Sequence, residues 1–283
     1  MRILVAVDWS EQAFTAVQTA TQLYTPEELT LAHAVDLRPF DNPVLAPVAS
    51  RDAAQEFRQA MLDAGEKLLD QTTALVPSDV ASVHRLCTIG SPARVILDAA
   101  RSVDLVAIGA RGRGRIAELV LGSVSHRVIT HAPCATLLVK RSSDTFRRVL
   151  VAVEGKEDGE RLKAWLRAHP FKKAVELTVI SVVPFLYIGE ITTGQRYDLW
   201  EEAALIAAQG TVKGFAAEVN GSHYTATGQV FRGDPADIIA REAAGCDLVV
   251  IGAQVRHGLD RFLLGSVSHA VTHSVMCPIL IVR

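Results

Sequence analysis

The chain has 283 residues, of which 49% are hydrophobic and 21% charged, with a formal net charge of −2 and a pI near 6.5. That balance is too apolar for a disordered chain and supplies no concentrated basic face, so a globular protein without a nucleic-acid partner is expected. The length suits about two domains of ~100–200 residues, each able to bury its own core.

The opening MRILVAVDWS carries one basic residue and an apolar run that ends at Asp8. It lacks the longer apolar core of a secretory signal, and no stretch approaches the ~20 apolar residues that span a bilayer, so a cytoplasmic location without membrane attachment is expected. Continuous apolar runs such as ILVAV, LTLAHAV and DLVAIG predict strands buried on both faces. Between them the period changes: Ala13, Ala16, Val17, Ala20 and Leu23 predict a helix over 10–24, and Phe57, Met61, Ala64, Leu68 and Leu69 a longer one within 48–75. In the second half strands are predicted to begin near Arg148, Val175, His223, Asp247 and Pro278, again with helices between. Strand alternating with helix predicts an α/β fold, here two tandem Rossmann-like domains, each a five-stranded parallel sheet flanked by about four helices.

An internal repeat divides the chain. Residues 104–139 align without a gap on residues 247–282 and about half the positions are identical. Upstream, IGSPARVI (89–96) answers RGDPADII (232–239), and RILVAVD (2–8) answers RVLVAVE (148–154). The domains therefore run over 1–140 and 147–283, joined by the short polar segment RSSDTF (141–146).

Ligands of open α/β sheets sit beyond the carboxyl ends of the strands, where strand order reverses. In the first half those ends deliver Asp8, with Ser10 two residues on; Ala34 and Val35; and a loop that starts at Gly109. The loop reads Gly109-Ala-Arg111-Gly112, then nine residues, then Gly122-Ser123, where a helix through Val124, Val128 and Ile129 begins. Gly109 and Gly112 remove side chains where backbone amides approach an anion, and Gly122-Ser123 presents the unpaired N–H groups of a helix N-terminus. Ser123 and Ser125 add hydroxyls, while Arg111, Arg113 and Arg115 bring positive charge, with the acidic Glu118 nearby.

Several of these residues have plainer readings. The loop glycines could simply turn the chain, Asp8 reads equally as a helix cap or as a ligand contact, and the arginines could form a solvated loop. His126 and His269 hold equivalent positions and read as structural. Cys87, Cys134, Cys246 and Cys277 show no metal-ligand spacing and are expected as reduced, mostly buried thiols.

The arrangement Gly109-x2-Gly112-x9-Gly122-Ser123, with VAVDWS at the start and SVSHRVI and CATLLVK following, resembles the ATP-binding signature of the universal stress protein family. The resemblance implies ATP with its phosphates on Gly112, Gly122, Ser123 and Ser125, beside Val124, and its adenosine near Asp8 and Ala34, a position the family usually fills with valine. Magnesium is implied only as the companion of the triphosphate, near Asp8. The resemblance also implies pairing of the two domains through 134–140 and 277–283, and a homodimer is compatible with it.

The second half departs from the signature. Val255 replaces Gly112, Glu154 replaces Asp8, and Gly155-Lys156 replaces Trp9-Ser10, although Gly252, Gly265 and Ser266 remain. A branched side chain at the phosphate turn and a longer acid protruding into the adenosine space predict a degenerate site. The expected function is ATP-dependent regulatory binding in a stress response, through an unidentified protein partner and without catalysis. A slow ATPase and an interaction module without nucleotide are the alternatives; the chain carries no GxxxxGK[ST] loop and no evident catalytic base beside the phosphate turn.

Overall fold

The computed structural model describes residues 1–38, 51–111, 121–141, 143, 145–185, 194–253 and 264–283, with the backbone alone at 51 and 194–199. They fall into two compact units, Met1–Ser142 and Ser143–Arg283. Phe146, at the end of the polar connector, is 8% exposed.

The first unit runs β1 (Arg2–Ala6), α1 (Glu11–Leu23), β2 (Glu28–Val35), α2 (Arg51–Thr73), β3 (Ser82–Ile89), α3 (Pro92–Ala99), β4 (Leu105–Gly109), α4 (Ser123–His131) and β5 (Ala135–Val139). Its strand order is β3-β2-β1-β4-β5, and every described pairing within it is parallel. The second runs β6 (Arg148–Ala152), α5 (Lys156–Ala168), β7 (Val175–Val183), α6 (Gly194–Val219), β8 (Tyr224–Arg232), α7 (Pro235–Glu242), β9 (Leu248–Gly252), α8 (Ser266–Ser274) and β10 (Ile279–Val282). Its order, β8-β7-β6-β9-β10, repeats the first, with parallel pairings. Among the described residues each unit has five parallel strands and four α-helices, the α/β fold expected from periodicity.

Physical causes are visible at each element. Ile3, Leu4 and Val5 of β1 and Leu105, Val106 and Ala107 of β4 are completely buried, as central strands covered by helices on both faces require. Ser10 caps α1 by accepting from the Ala13 N–H at 3.2 Å, and Asp234 caps α7 by accepting from Ala236 and Asp237 at 2.9 and 3.0 Å. Pro92 and Pro235 each sit in the first turn of their helices, where the missing N–H costs nothing. On α2, a β-carbon added to Gly65 would lie 2.6 Å from Cys87 Sγ and 2.8 Å from His33 Cδ2, so glycine lets α2 lie directly on β2 and β3.

The four cysteines form no disulfide, but none is fully buried, contrary to expectation. Cys87 lies on β3, at the edge of its sheet, and Cys134, Cys246 and Cys277 lie in the turns that lead into β5, β9 and β10. Burial still pushes the Cys87 and Cys246 thiols up.

In both units the chain passes from the first strand to one neighbour and later returns to the other side. The reversal falls between β1 and β4, and again between β6 and β9, leaving a crevice outside their carboxyl ends.

Candidate functional site

At the reversal point of the first unit lies a cleft of about 590 Å³, within the roughly 300–1,000 Å³ usual for small-molecule sites. Most of its wall is apolar, with Ala32 and Ala34 of β2 and Pro92 and Ile96 of α3 among its members. Its polar end is made by Asp8, Arg111, Gly122 and the start of α4. Of the residues singled out from sequence, Asp8, Ala34, Gly109, Arg111, Gly122, Ser123, Val124 and Ser125 all line this one cleft. Gly112, Arg113, Arg115 and Glu118, and Val255 in the repeat, lie outside the described residues.

The three N–H groups that open α4 set the electrostatics. Gly122 is the cap, in extended conformation and without a side-chain hydrogen bond, and the first intrahelical bond runs from His126 N to Gly122 O at 2.8 Å. The N–H groups of Ser123, Val124 and Ser125 find no acceptor among the described residues. They add to the positive end of the helix dipole, an arrangement suited to an anion. The Gly122 N–H itself is spent, donating to Ala110 O at 2.8 Å. A β-carbon at Gly122 would stand 3.3 Å from that carbonyl oxygen, which is tighter than side chains normally tolerate.

Three of these residues also make contacts that only the placed atoms show. Ser125 is 3% exposed and its hydroxyl donates to Gly109 O at 2.7 Å, so that hydroxyl braces the end of β4 and has no proton left for a phosphate, while the Ser125 N–H stays available. Gly109 is required by packing: a β-carbon there would fall 2.9 Å from Gln12 Cβ and about as close to the Gln12 backbone, so the glycine admits α1 against β4. The helix cap is Ser10, and Asp8 stands one step behind it.

Asp8 Oδ1 accepts from the Ser10 N–H at 2.9 Å and from the Ser10 hydroxyl, which also lies 3.4 Å from Arg111 O. Asp8 Oδ2 has no donor among the described residues, and the carboxyl is half-exposed at the mouth of the cleft. Gln12, which sequence reasoning passed over, completes the frame: its Oε1 accepts from the Arg111 N–H at 2.7 Å, tying the loop after β4 to α1. Pro92 and Ile96 were also passed over. Their signal was present, since the repeated segment IGSPARVI holds both, but it was used only to align the halves.

The second unit preserves part of this frame and alters the rest. Ser268 donates to Gly252 O at 2.7 Å and His269 N to Gly265 O at 2.8 Å, matching Ser125 and His126. The position of Gln12 is held by Asp158, 3% exposed, whose Oδ2 accepts from Glu154 N at 3.1 Å and whose Oδ1 pairs with Arg161 at 3.0 Å. A β-carbon on Gly252 would fall 2.0 Å from Asp158 Oδ1, so the carboxylate is pressed against the end of β9. Burial pushes its pKa up, with the Glu154 N–H and Arg161 opposing. Glu154 itself is exposed, and Gly155 adopts φ +117° where the first unit has Trp9.

Among the described residues no group of three His, Cys, Asp or Glu side chains could hold a metal ion, and no helix is long and apolar enough to cross a membrane.

The sequence model of the universal stress protein family matches residues 1–140 and again 145–283. A universal stress protein of Mycolicibacterium smegmatis is 26% identical over 297 aligned positions, covering 99% of this chain and 96% of that protein. Another, from Thermus aquaticus, is 34% identical over 145 positions, which are 49% of this chain and 97% of that shorter protein. The crystal structure of a universal stress protein from Archaeoglobus fulgidus shares the fold with a TM-score of 0.64 at 20% identity, covering 100% of this chain and 96% of that one. With the family matched across both halves, the chain belongs to the universal stress protein family and carries two of its domains in tandem.

Proposed function

We propose that the first unit binds ATP in the cleft between β1 and β4 and that the protein acts as a nucleotide-dependent regulatory binder in a stress response, with the second unit as a partner that no longer binds ATP in the same way. The observation that carries this reading is the set of three N–H groups at Ser123, Val124 and Ser125 that find no acceptor among the described residues, opening onto a cleft that is otherwise mostly apolar. An anion fits the first feature and a flat aromatic ring the second, and a nucleotide joins the two.

The residues divide by what they offer. The α4 N-terminus, with the exposed Ser123 hydroxyl, suits the phosphates. Ala32, Ala34, Pro92 and Ile96 suit the base. Asp8 Oδ2, which has no donor among the described residues, suits a ribose hydroxyl or a magnesium ion that accompanies the triphosphate. In the second unit the buried Asp158 carboxylate stands beside the equivalent strand end and opposes a phosphate there.

Isothermal titration of the nucleotide-stripped chain with Mg-ATP tests the reading. One site per chain is expected, abolished by Gly112→Val, which copies the repeat's Val255 into the first loop. Absence of binding to the unaltered chain removes the nucleotide and leaves a docking module. Phosphate release that depends on Ser123 would turn the binder into an ATPase.

A further inference from the structure

The repeat supplies an internal control for the cleft of the first unit. Ala6 of β1 answers Ala152 of β6, and these two pair with Ala32 and Ile180, so Ala32 is the counterpart of Ile180 and Ala34 that of Val182. Both alanines line the cleft. Their side chains are shorter than those of their counterparts by three carbons and by two. The helix that faces them does not compensate, because Pro92 and Ile96 of α3 answer Pro235 and Ile239 of α7, the same residue types.

The next strand widens the difference. Leu86 and Thr88 of β3 are the partners of Ala32 and Ala34 and share their face of the sheet, whereas Gln229 and Phe231 stand beside Ile180 and Val182. The Arg241 guanidinium of α7 closes over Phe231, 5.6 Å from the ring centroid. The first unit has Thr88 in place of that ring and Asp98 in place of that arginine, and Asp98 pairs along its own helix with Arg94 Nε at 3.7 Å. Protein interiors are close-packed. A wall with alanine, alanine and threonine where its copy has isoleucine, valine and phenylalanine, faced by the same proline and isoleucine, therefore keeps room for a ligand.

We propose that the first unit takes an adenine nucleotide enlarged by an apolar group on the base, and that Ala32, Ala34 and Thr88 are the residues that admit the group. The inference rests on the nucleotide reading of this cleft. With the phosphates on α4 and the ribose beside Asp8 at the end of β1, the base reaches outward over β2. The edge of adenine farthest from its ribose carries the N6 amino group. A substituent on N6 then runs between β2 and α3 toward β3, the outer strand, where it is not stopped by a further layer of the sheet.

Isothermal titration of the nucleotide-stripped full chain with Mg-ATP and with the magnesium complex of N6-benzyl-ATP tests this. In the unaltered chain the benzyl analogue should bind more tightly than ATP by about tenfold or more, the scale on which apolar pockets discriminate. Ala32→Ile combined with Ala34→Val rebuilds the repeat's pair and should reverse the order, with ATP favoured by about tenfold or more. Thr88→Phe should shrink the benzyl preference in the same direction. Each preference is a ratio within one protein, so a general loss of affinity in a variant does not imitate it, and the comparison in the unaltered chain depends on no variant folding. Equal or tighter binding of ATP by the unaltered chain would overturn the inference and leave the nucleotide reading in place. A benzyl preference unmoved by the Ala32→Ile, Ala34→Val pair would also overturn it, by placing the group elsewhere. If neither ligand binds, the nucleotide reading falls and the inference falls with it.

Discussion

Replacing Ser125 with alanine separates two roles for one hydroxyl. Bonded to Gly109 O at 2.7 Å and buried to 3% exposure, it is worth about 1–2 kcal/mol, the net value of a buried hydrogen bond plus the gap left under the carbonyl. For a unit of this size that loss lowers the unfolding midpoint by roughly 3–7 °C. Ser268→Ala supplies the internal control, since its hydroxyl meets Gly252 O at the same 2.7 Å. Scanning calorimetry of the full chain should give comparable losses for the two variants, additive when combined. Their effects on Mg-ATP binding then diverge in meaning. Neither hydroxyl is free to donate to a ligand, and the Ser125 N–H survives the substitution, so ATP affinity should fall less than about threefold, or ~0.7 kcal/mol. A tenfold loss of affinity in Ser125→Ala with an unchanged midpoint refutes the reasoning, because it would place the hydroxyl on the phosphate instead of on Gly109.

Ser10→Ala removes both the α1 cap and one of the two donors to Asp8 Oδ1, leaving the backbone N–H, and should destabilise by about 1–2 kcal/mol, readable as a lower urea midpoint; no change would mean Asp8 takes over the cap. Gly109→Ala forces a β-carbon to 2.9 Å from Gln12 Cβ and should cost about 1–3 kcal/mol, measured the same way, with a neutral result implying that α1 can withdraw freely. Asp158 has a pKa raised above its usual 3.8, chiefly by burial. The native state therefore holds that proton more tightly than the unfolded one, and the associated stability is present at low pH and lost as pH rises from about 3.8 through the folded value. In Asp158→Asn that component of the pH slope is absent, so urea midpoints of the two proteins from pH 4 to 7 should diverge, and parallel curves would contradict it. Tyr224, whose hydroxyl donates to Leu166 O at 3.0 Å and accepts from Phe171 N at 3.2 Å, is pushed up to about 12 by burial, so stability falls as pH rises from 10 through 12. Absorbance titration of Tyr224→Phe should lack a phenolate step near pH 12, and loss of a step near pH 10 instead would place that phenol in water.

Much of the site was legible because its information is local to the chain. Gly122-Ser123 ahead of an apolar-periodic segment reads as a helix start, and a helix start carries unpaired N–H groups wherever it occurs. Other contacts were not legible, for a common reason. Ser125 looks like a free donor until β4 brings Gly109 O within 2.7 Å, and Gly109 looks like a phosphate turn until α1 lies across it. Gln12 gave no motif at all, and its role follows from a contact with a residue 99 positions away.

By itself, the sequence determined that two equivalent α/β units follow one another, since an ungapped repeat and a period alternating between strand and helix need no partner to be read. It also determined that the repeat's second copy had changed at Asp8, Trp9 and Ser10. Only the tertiary structure decided which polar atoms are already spent, on Ala110, Gly109 and Arg111, and which are left for a ligand. It alone decided that a carboxylate replaces an amide against the end of β9. The division has a simple cause. Periodicity is a property of neighbours along the chain, whereas hydrogen-bond partners and exposed faces are set by segments that meet only after folding.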